Sequence, residues 1–71
     1  MEREVKFVQS GPQGGFVLFS EGGEYPIKGQ KVTIHTKSIH LNGTFDYGYV
    51  SGLSILPKEN ETVMIQWEKI I

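Results

Sequence analysis

The side chains that could do chemistry in this chain crowd into its middle: His35, Lys37, His40, Asp46, Tyr47 and Tyr49. Cysteine is absent, which removes disulfides, thiolate metal sites and the most nucleophilic side chain at neutral pH. The two histidines could ligate a metal, move a proton or, with Lys37, attract an anion. Tyr47 and Tyr49 carry rings that could stack on a ligand or a base. Glu59 and Glu61 stand beside a turn where solvent takes them, so a carboxylate pair for acid–base hydrolysis is not expected.

The elements that carry these groups decide which of them meet. Residues 31–50 read as one long β-hairpin closed at Asn42-Gly43, a pair that accepts the positive φ of both central positions of a type I′ turn. A two-residue loop there sets His40 opposite Phe45, Ser38 opposite Tyr47 and Thr36 opposite Tyr49. Val32, Ile34, Phe45, Tyr47 and Tyr49 then share one face, the expected core. Lys31, Thr33, His35, Lys37 and Asp46 take the other, with Ile39 and Leu41 as an apolar tip. In this arrangement His35 and His40 point to opposite faces and cannot share a metal. His35 and Asp46 are diagonal, close enough for an ion pair, with no nucleophile to complete a catalytic set. No catalytic residue, metal or cofactor is expected; the candidate binding residues are Lys37, His35, His40, Tyr47, Tyr49, Ile39 and Leu41.

The rest of the chain also reads as strands and turns. Val5 and Phe7 alternate with Lys6 in a strand over 4–9, and Gly11-Pro12 with Gly14-Gly15 makes a loop. That glycine-rich loop is no phosphate cradle, because no helix follows it. Phe16-Val17-Leu18-Phe19 is a continuous apolar run, expected as a strand buried on both faces or placed at an interface. Gly22-Gly23, Pro26 and Gly29 punctuate a connecting loop. Ser51-Gly52 is expected to bend the chain before Leu53 to Leu56, and Pro57 to Asn60 to turn it. In a last strand from Thr62 to about Ile70, Val63, Ile65 and Trp67 point one way. No segment has helical periodicity. The expectation is a single all-β domain over 1–71, a small antiparallel sheet or partly open barrel of about five or six strands around the central hairpin.

A chain of 71 residues holds only a small core, and without a disulfide or metal the expected support is self-association. Seven basic and eight acidic side chains give a net charge of −1 at pH 7, so nucleic acid is not an expected partner. Residues 25–45 nonetheless carry three lysines, two histidines and no acid, which could draw a small anion. No stretch approaches the roughly 18 apolar residues of a membrane span, and the start, Met1-Glu2-Arg3-Glu4, has no apolar leader. The chain is read as cytoplasmic. Asn42-Gly43-Thr44 and Asn60-Glu61-Thr62 fit the glycosylation pattern, but turn chemistry explains both.

Two resemblances bear on function. Tyr25 to His35, with Asn42-Gly43-Thr44-Phe45-Asp46 after it, resembles the opening strand and following motif of FK506-binding prolyl isomerases, and Pro57 to Glu68 is similar in outline to that family's last strand. The resemblance implies that Phe45, Asp46 and Tyr47 match binding-pocket positions. It lacks the central helix that floors that pocket. Val5-Lys6-Phe7 and Gly15-Phe16-Val17 look like the first strands of cold-shock-type oligonucleotide-binding barrels, without their aromatic motifs or basic surplus. The expected function is that of a non-enzymatic binding or inhibitory protein, of the kind phages and mobile elements carry. It would act through protein–protein contacts as a homo-oligomer, using unpaired strand edges and outer apolar residues. The alternatives are a binder of a small anionic or nucleotide-like ligand between subunits and a vestigial FK506-binding-type isomerase.

Overall fold

The computed structural model describes residues 1–68. Its strands are β1 (Glu2–Gln9), β2 (Gly15–Phe19), β3 (Lys31–His35), β4 (His40–Asp46), β5 (Tyr49–Ser51) and β6 (Thr62–Gln66). They close into a barrel in the order β1-β2-β5-β4-β3-β6, every neighbouring pair antiparallel. The all-β reading stands, and the barrel is closed rather than partly open. Closure gives each strand two partners, so no strand presents a wholly unpaired edge for self-association; the open stretches are short, at Leu18 and Phe19 of β2 beyond its two-residue ladder with β5 and at Lys31 and Val32 of β3 beyond its ladder with β6.

Alternation builds the core. Val5 and Phe7 from β1, Val17 from β2, Val32 and Ile34 from β3, Leu41 and Phe45 from β4, Val50 from β5, and Val63 and Ile65 from β6 all point inward, joined in the core by Leu53 and Trp67 from outside the strands; among the described residues no polar side chain is buried with them. The barrel is narrow enough that two inward positions admit no side chain. A Cβ on Gly15 would sit 2.4 Å from the Val8 carbonyl oxygen and 2.5 Å from the Phe7 ring, and one on Gly43 would sit 2.6 Å from Val50 Cγ1.

Gly43 therefore lies inside a strand, and the expected hairpin is corrected. β3 and β4 pair Lys31 with Thr44, Thr33 with Asn42 and His35 with His40. The chain reverses at residues 36–39 instead, where Thr36 Oγ1 accepts from the amides of Ser38 and Ile39 at 3.3 and 3.1 Å and Thr36 N–H donates to the Ile39 carbonyl at 2.9 Å. The type I′ turn sits between β4 and β5, at Tyr47 (φ 49°) and Gly48 (φ 93°). Its positive φ at both central residues costs a tyrosine about 1 kcal/mol or more. What outweighs that cost is packing, because this register buries Leu41, worth about 1.5–3 kcal/mol.

Four expectations change with it. Leu41 is core, not part of an outer tip, and Ile39 stands alone at the reversal, 38% exposed. Tyr47 is 78% exposed rather than buried, and Tyr49 lies half-buried on the outer face. The apolar run in β2 alternates like any other strand: Val17 faces in, while Phe16 and Leu18 face out at 43% and 53% exposure. Leu53 is buried but belongs to a loop, not a strand. β6 ends at Gln66, and the expected strand end at Ile70 lies outside the described residues. Since asparagine adopts the left-handed region far more readily than tyrosine, Tyr47→Asn should raise stability by about 1 kcal/mol, read as a higher urea midpoint at unchanged slope.

The long connection from β2 to β3 is tied to the barrel by Arg3. Its guanidinium lies 4.9 Å from the Phe19 ring centroid and 5.0 Å from that of Tyr25. It donates to the carbonyls of Glu24 and Ser20 at 3.0 Å each. Farther along, Gly29 N–H donates to the Phe45 carbonyl and Phe45 N–H to the Gln30 carbonyl, at 2.7 and 2.9 Å. This anchors the loop as it enters β3.

Candidate functional site

The outer surface of the barrel carries two distinct groupings, because directly paired residues project to the same side and line up in rows across the strands. On β4, β3 and β6 one row reads His40, His35, Met64 and the next Asn42, Thr33, Gln66. The 36/39 and 30/45 positions carry the backbone bonds at the two ends of the β3–β4 ladder. The 35/40 position between them is therefore a non-hydrogen-bonded pair, the kind in which side chains approach most closely. The imidazole centroids of His35 and His40 are 4.2 Å apart with an interplanar angle of 66°. His35 Nε2–H donates to Gln66 Oε1 at 2.6 Å, and Thr33 Oγ1 donates to Asn42 Oδ1 at 3.1 Å. The histidines thus share a face, contrary to the expected opposite placement, and the altered turn is the reason. Beyond the Thr33–Gln66 pair β3 and β6 part, leaving a groove of about 530 Å³ lined by Gln30, Lys31, Asn42, Gln66 and the edge of Trp67.

The second grouping covers β1, β2 and β5. One row runs Val8, Phe16, Tyr49 and on to Asp46 in β4; beside it lie Lys6 and Leu18. Phe16 meets Tyr49 edge to face at 5.2 Å, and the Tyr49 hydroxyl donates to the Ser10 carbonyl at 2.9 Å. Val17 N–H donates to the Gly48 carbonyl at 2.8 Å, which lays the Tyr47-Gly48 turn against β2. Lys28 Nζ stands 5.5 Å from the Tyr47 ring centroid. Phe16, Leu18 and Tyr49 lie together on this outer face, and the exposed Tyr47 stands in the turn laid beside it.

The candidate binding residues therefore divide. His35, His40, Lys37 and Ile39 gather at one end of β4. Tyr47 and Tyr49 lie at the other end, about 20 Å away for a strand rising ~3.3 Å per residue. Leu41 is inside. Lys37 sits at the 36–39 reversal, beside a groove of about 380 Å³ that also receives Lys58 and Glu61. A single-chain pocket joining the histidines to the tyrosines does not form. Asp46 pairs with Tyr49, not near His35. Phe45, the first of the positions matched by the isomerase resemblance, points into the core, while Asp46 and the turn residue Tyr47 are exposed to solvent. In the sequence the run from Phe16 to Phe19 stays open between burial on both faces and an interface, and nothing singles out Gln66 or Met64 as site residues. A four-residue apolar run has no alternation to read, and Gln66 and Met64 gain meaning only from the strand they pair with.

Of the hydroxyls on β3 and the reversal, Thr33 Oγ1 donates to Asn42 and Thr36 Oγ1 to the Ile39 carbonyl. Among the described residues no three His, Asp or Glu side chains gather as a metal cluster, and no helix is long and apolar enough to cross a membrane. Comparison with protein-family models, curated proteins and solved structures finds no match to this chain.

Proposed function

We propose that this chain is a non-catalytic binding protein that works through protein–protein contacts, with Phe16, Leu18, Tyr47 and Tyr49 as its contact surface and a second copy of the chain as the partner. The observation that carries this reading is the exposure of Leu18 at 53% and Phe16 at 43% side by side on a regular outer face. Apolar patches of this kind, rimmed by polar residues, mark interaction surfaces, and exposed aromatics supply contact area at low entropic cost. Tyr47 adds a second argument: an exposed ring held at positive φ is a strained choice that the fold itself does not need. The near-neutral net charge of −1 offers little resistance to self-docking. Lys6 at one margin of the stretch and Asp46 at the other would meet across a two-fold axis, which favours an isologous pair.

The test is sedimentation at micromolar concentration. The parent chain should associate, and Leu18→Glu, which places a carboxylate in the centre of the contact, should weaken association by about 30-fold or more, the scale of a central interface residue. The fold should be unaffected, since Leu18 faces water. A parent that sediments as a monomer at every concentration overturns the self-associating reading.

A further inference from the structure

We propose that the cross-strand pair His35 and His40 is a chelating site for a late-transition-metal ion, with Met64 as a third donor that favours copper. The argument starts from the chemistry of the row. Neutral imidazoles are the commonest protein ligands for zinc, copper and nickel, and a thioether adds preference for Cu⁺. Such ligands chelate only if the backbone holds them together. The non-hydrogen-bonded 35/40 position does this, and the rings lie 4.2 Å apart on the outer face, His40 exposed and His35 half-buried. Met64 is the direct partner of His35 on the other side. The order across three strands is therefore imidazole, imidazole, thioether.

The orientation of His35 supports the assignment. Its Nε2–H is held by Gln66 Oε1 at 2.6 Å, which fixes the proton on Nε2 and leaves the lone pair on Nδ1. A histidine that donates its other ring N–H to a fixed acceptor is the usual arrangement of a metal ligand. No carboxylate completes a three-residue cluster of His, Asp or Glu among the described residues, so water or a donor from another molecule would fill the remaining positions. The site is separate from the Phe16 and Leu18 surface and does not depend on it.

The sequence makes the test unusually clean: with two histidines and no cysteine, each single-histidine variant leaves only one imidazole in the chain. The full chain is titrated with Zn²⁺ and Cu²⁺ at pH 7.5 in a non-chelating buffer, and with Cu⁺ by competition against a chromogenic chelator. One saturable ion per site is expected. His35→Thr and His40→Gln, both at outer strand positions, should each weaken binding by about 100-fold, since the second imidazole of a chelate binds intramolecularly. Gln66→Leu should weaken it about 10-fold by releasing the His35 ring. Met64→Leu should weaken Cu⁺ while leaving Zn²⁺ unchanged. Ring ¹⁵N resonances of both histidines should move together on adding Zn²⁺. A single-histidine variant that binds as well as the parent, or a shift confined to one ring, overturns the site; unchanged Cu⁺ affinity in Met64→Leu removes the thioether from it.

Discussion

Replacing Trp67 by alanine is expected to leave most of the chain unfolded at 37 °C. The indole is 6% exposed and belongs to the single core cluster. Its backbone also closes the barrel, since Trp67 N–H donates to the Met1 carbonyl at 2.9 Å and the Met1 amine donates to the Trp67 carbonyl at 2.7 Å. Truncating a buried tryptophan costs about 3–5 kcal/mol. A domain of this length holds roughly 4–10 kcal/mol in total at 0.05–0.15 kcal/mol per residue. The loss is thus comparable to the whole. Because Trp67 is the only tryptophan, the variant loses its fluorescence reporter, and circular dichroism against urea is the measurement to use. Trp67→Phe should retain a cooperative transition at a lower midpoint. A midpoint for Trp67→Ala close to that of the parent would remove the indole from the core.

The second large effect is expected from the smallest change. Gly15→Ala adds one methyl group where the Val8 carbonyl oxygen stands 2.4 Å and the Phe7 ring 2.5 Å away. The ring could rotate; the carbonyl is part of β1 and cannot withdraw without opening the β1–β2 ladder. Overpacking of this kind costs about 1–3 kcal/mol, and the involvement of backbone places Gly15→Ala at the upper end. Lys6→Ala, on the outer face of the neighbouring strand, should change stability by less than about 0.5 kcal/mol. Parallel urea titrations of the two variants give the comparison. Equal midpoints would mean that the wall of the barrel near β2 yields more than its packing suggests.

These two residues also mark the limits of what could be read from the chain alone. β1 and β6 were legible because Val5 and Phe7, and Val63, Ile65 and Trp67, recur at every second position, a period that Val8 and Met64 blur without hiding. The middle was not, because two dipeptides competed for one turn. Asn42-Gly43 has the better local chemistry, and Tyr47-Gly48 won because it puts Leu41 inside and Gly43 where a methyl group has no room. Local preference is worth about 1 kcal/mol; a buried leucine outweighs it. The displaced turn decided the candidate site as well. With the bend at Asn42-Gly43, His35 and His40 are on opposite faces; with the reversal at 36–39 they touch. The proposed contact surface was only half legible for a different reason, since Phe16 to Phe19 is uniformly apolar and only the closed barrel says which of the four face water.

The closing seam has a kinetic consequence. Its register joins Glu2 to Gln66 and Lys6 to Thr62, so the two strands that complete the ring are almost as distant along the chain as residues here can be. Ladders of this kind form only after a large loop has been drawn together, and β topologies dominated by them fold in milliseconds to seconds rather than microseconds. During synthesis β1 emerges first and waits for β6. Until that partner arrives, its edge is open to whatever strand is nearest, and nascent chains crowded on one message are each other's nearest strands.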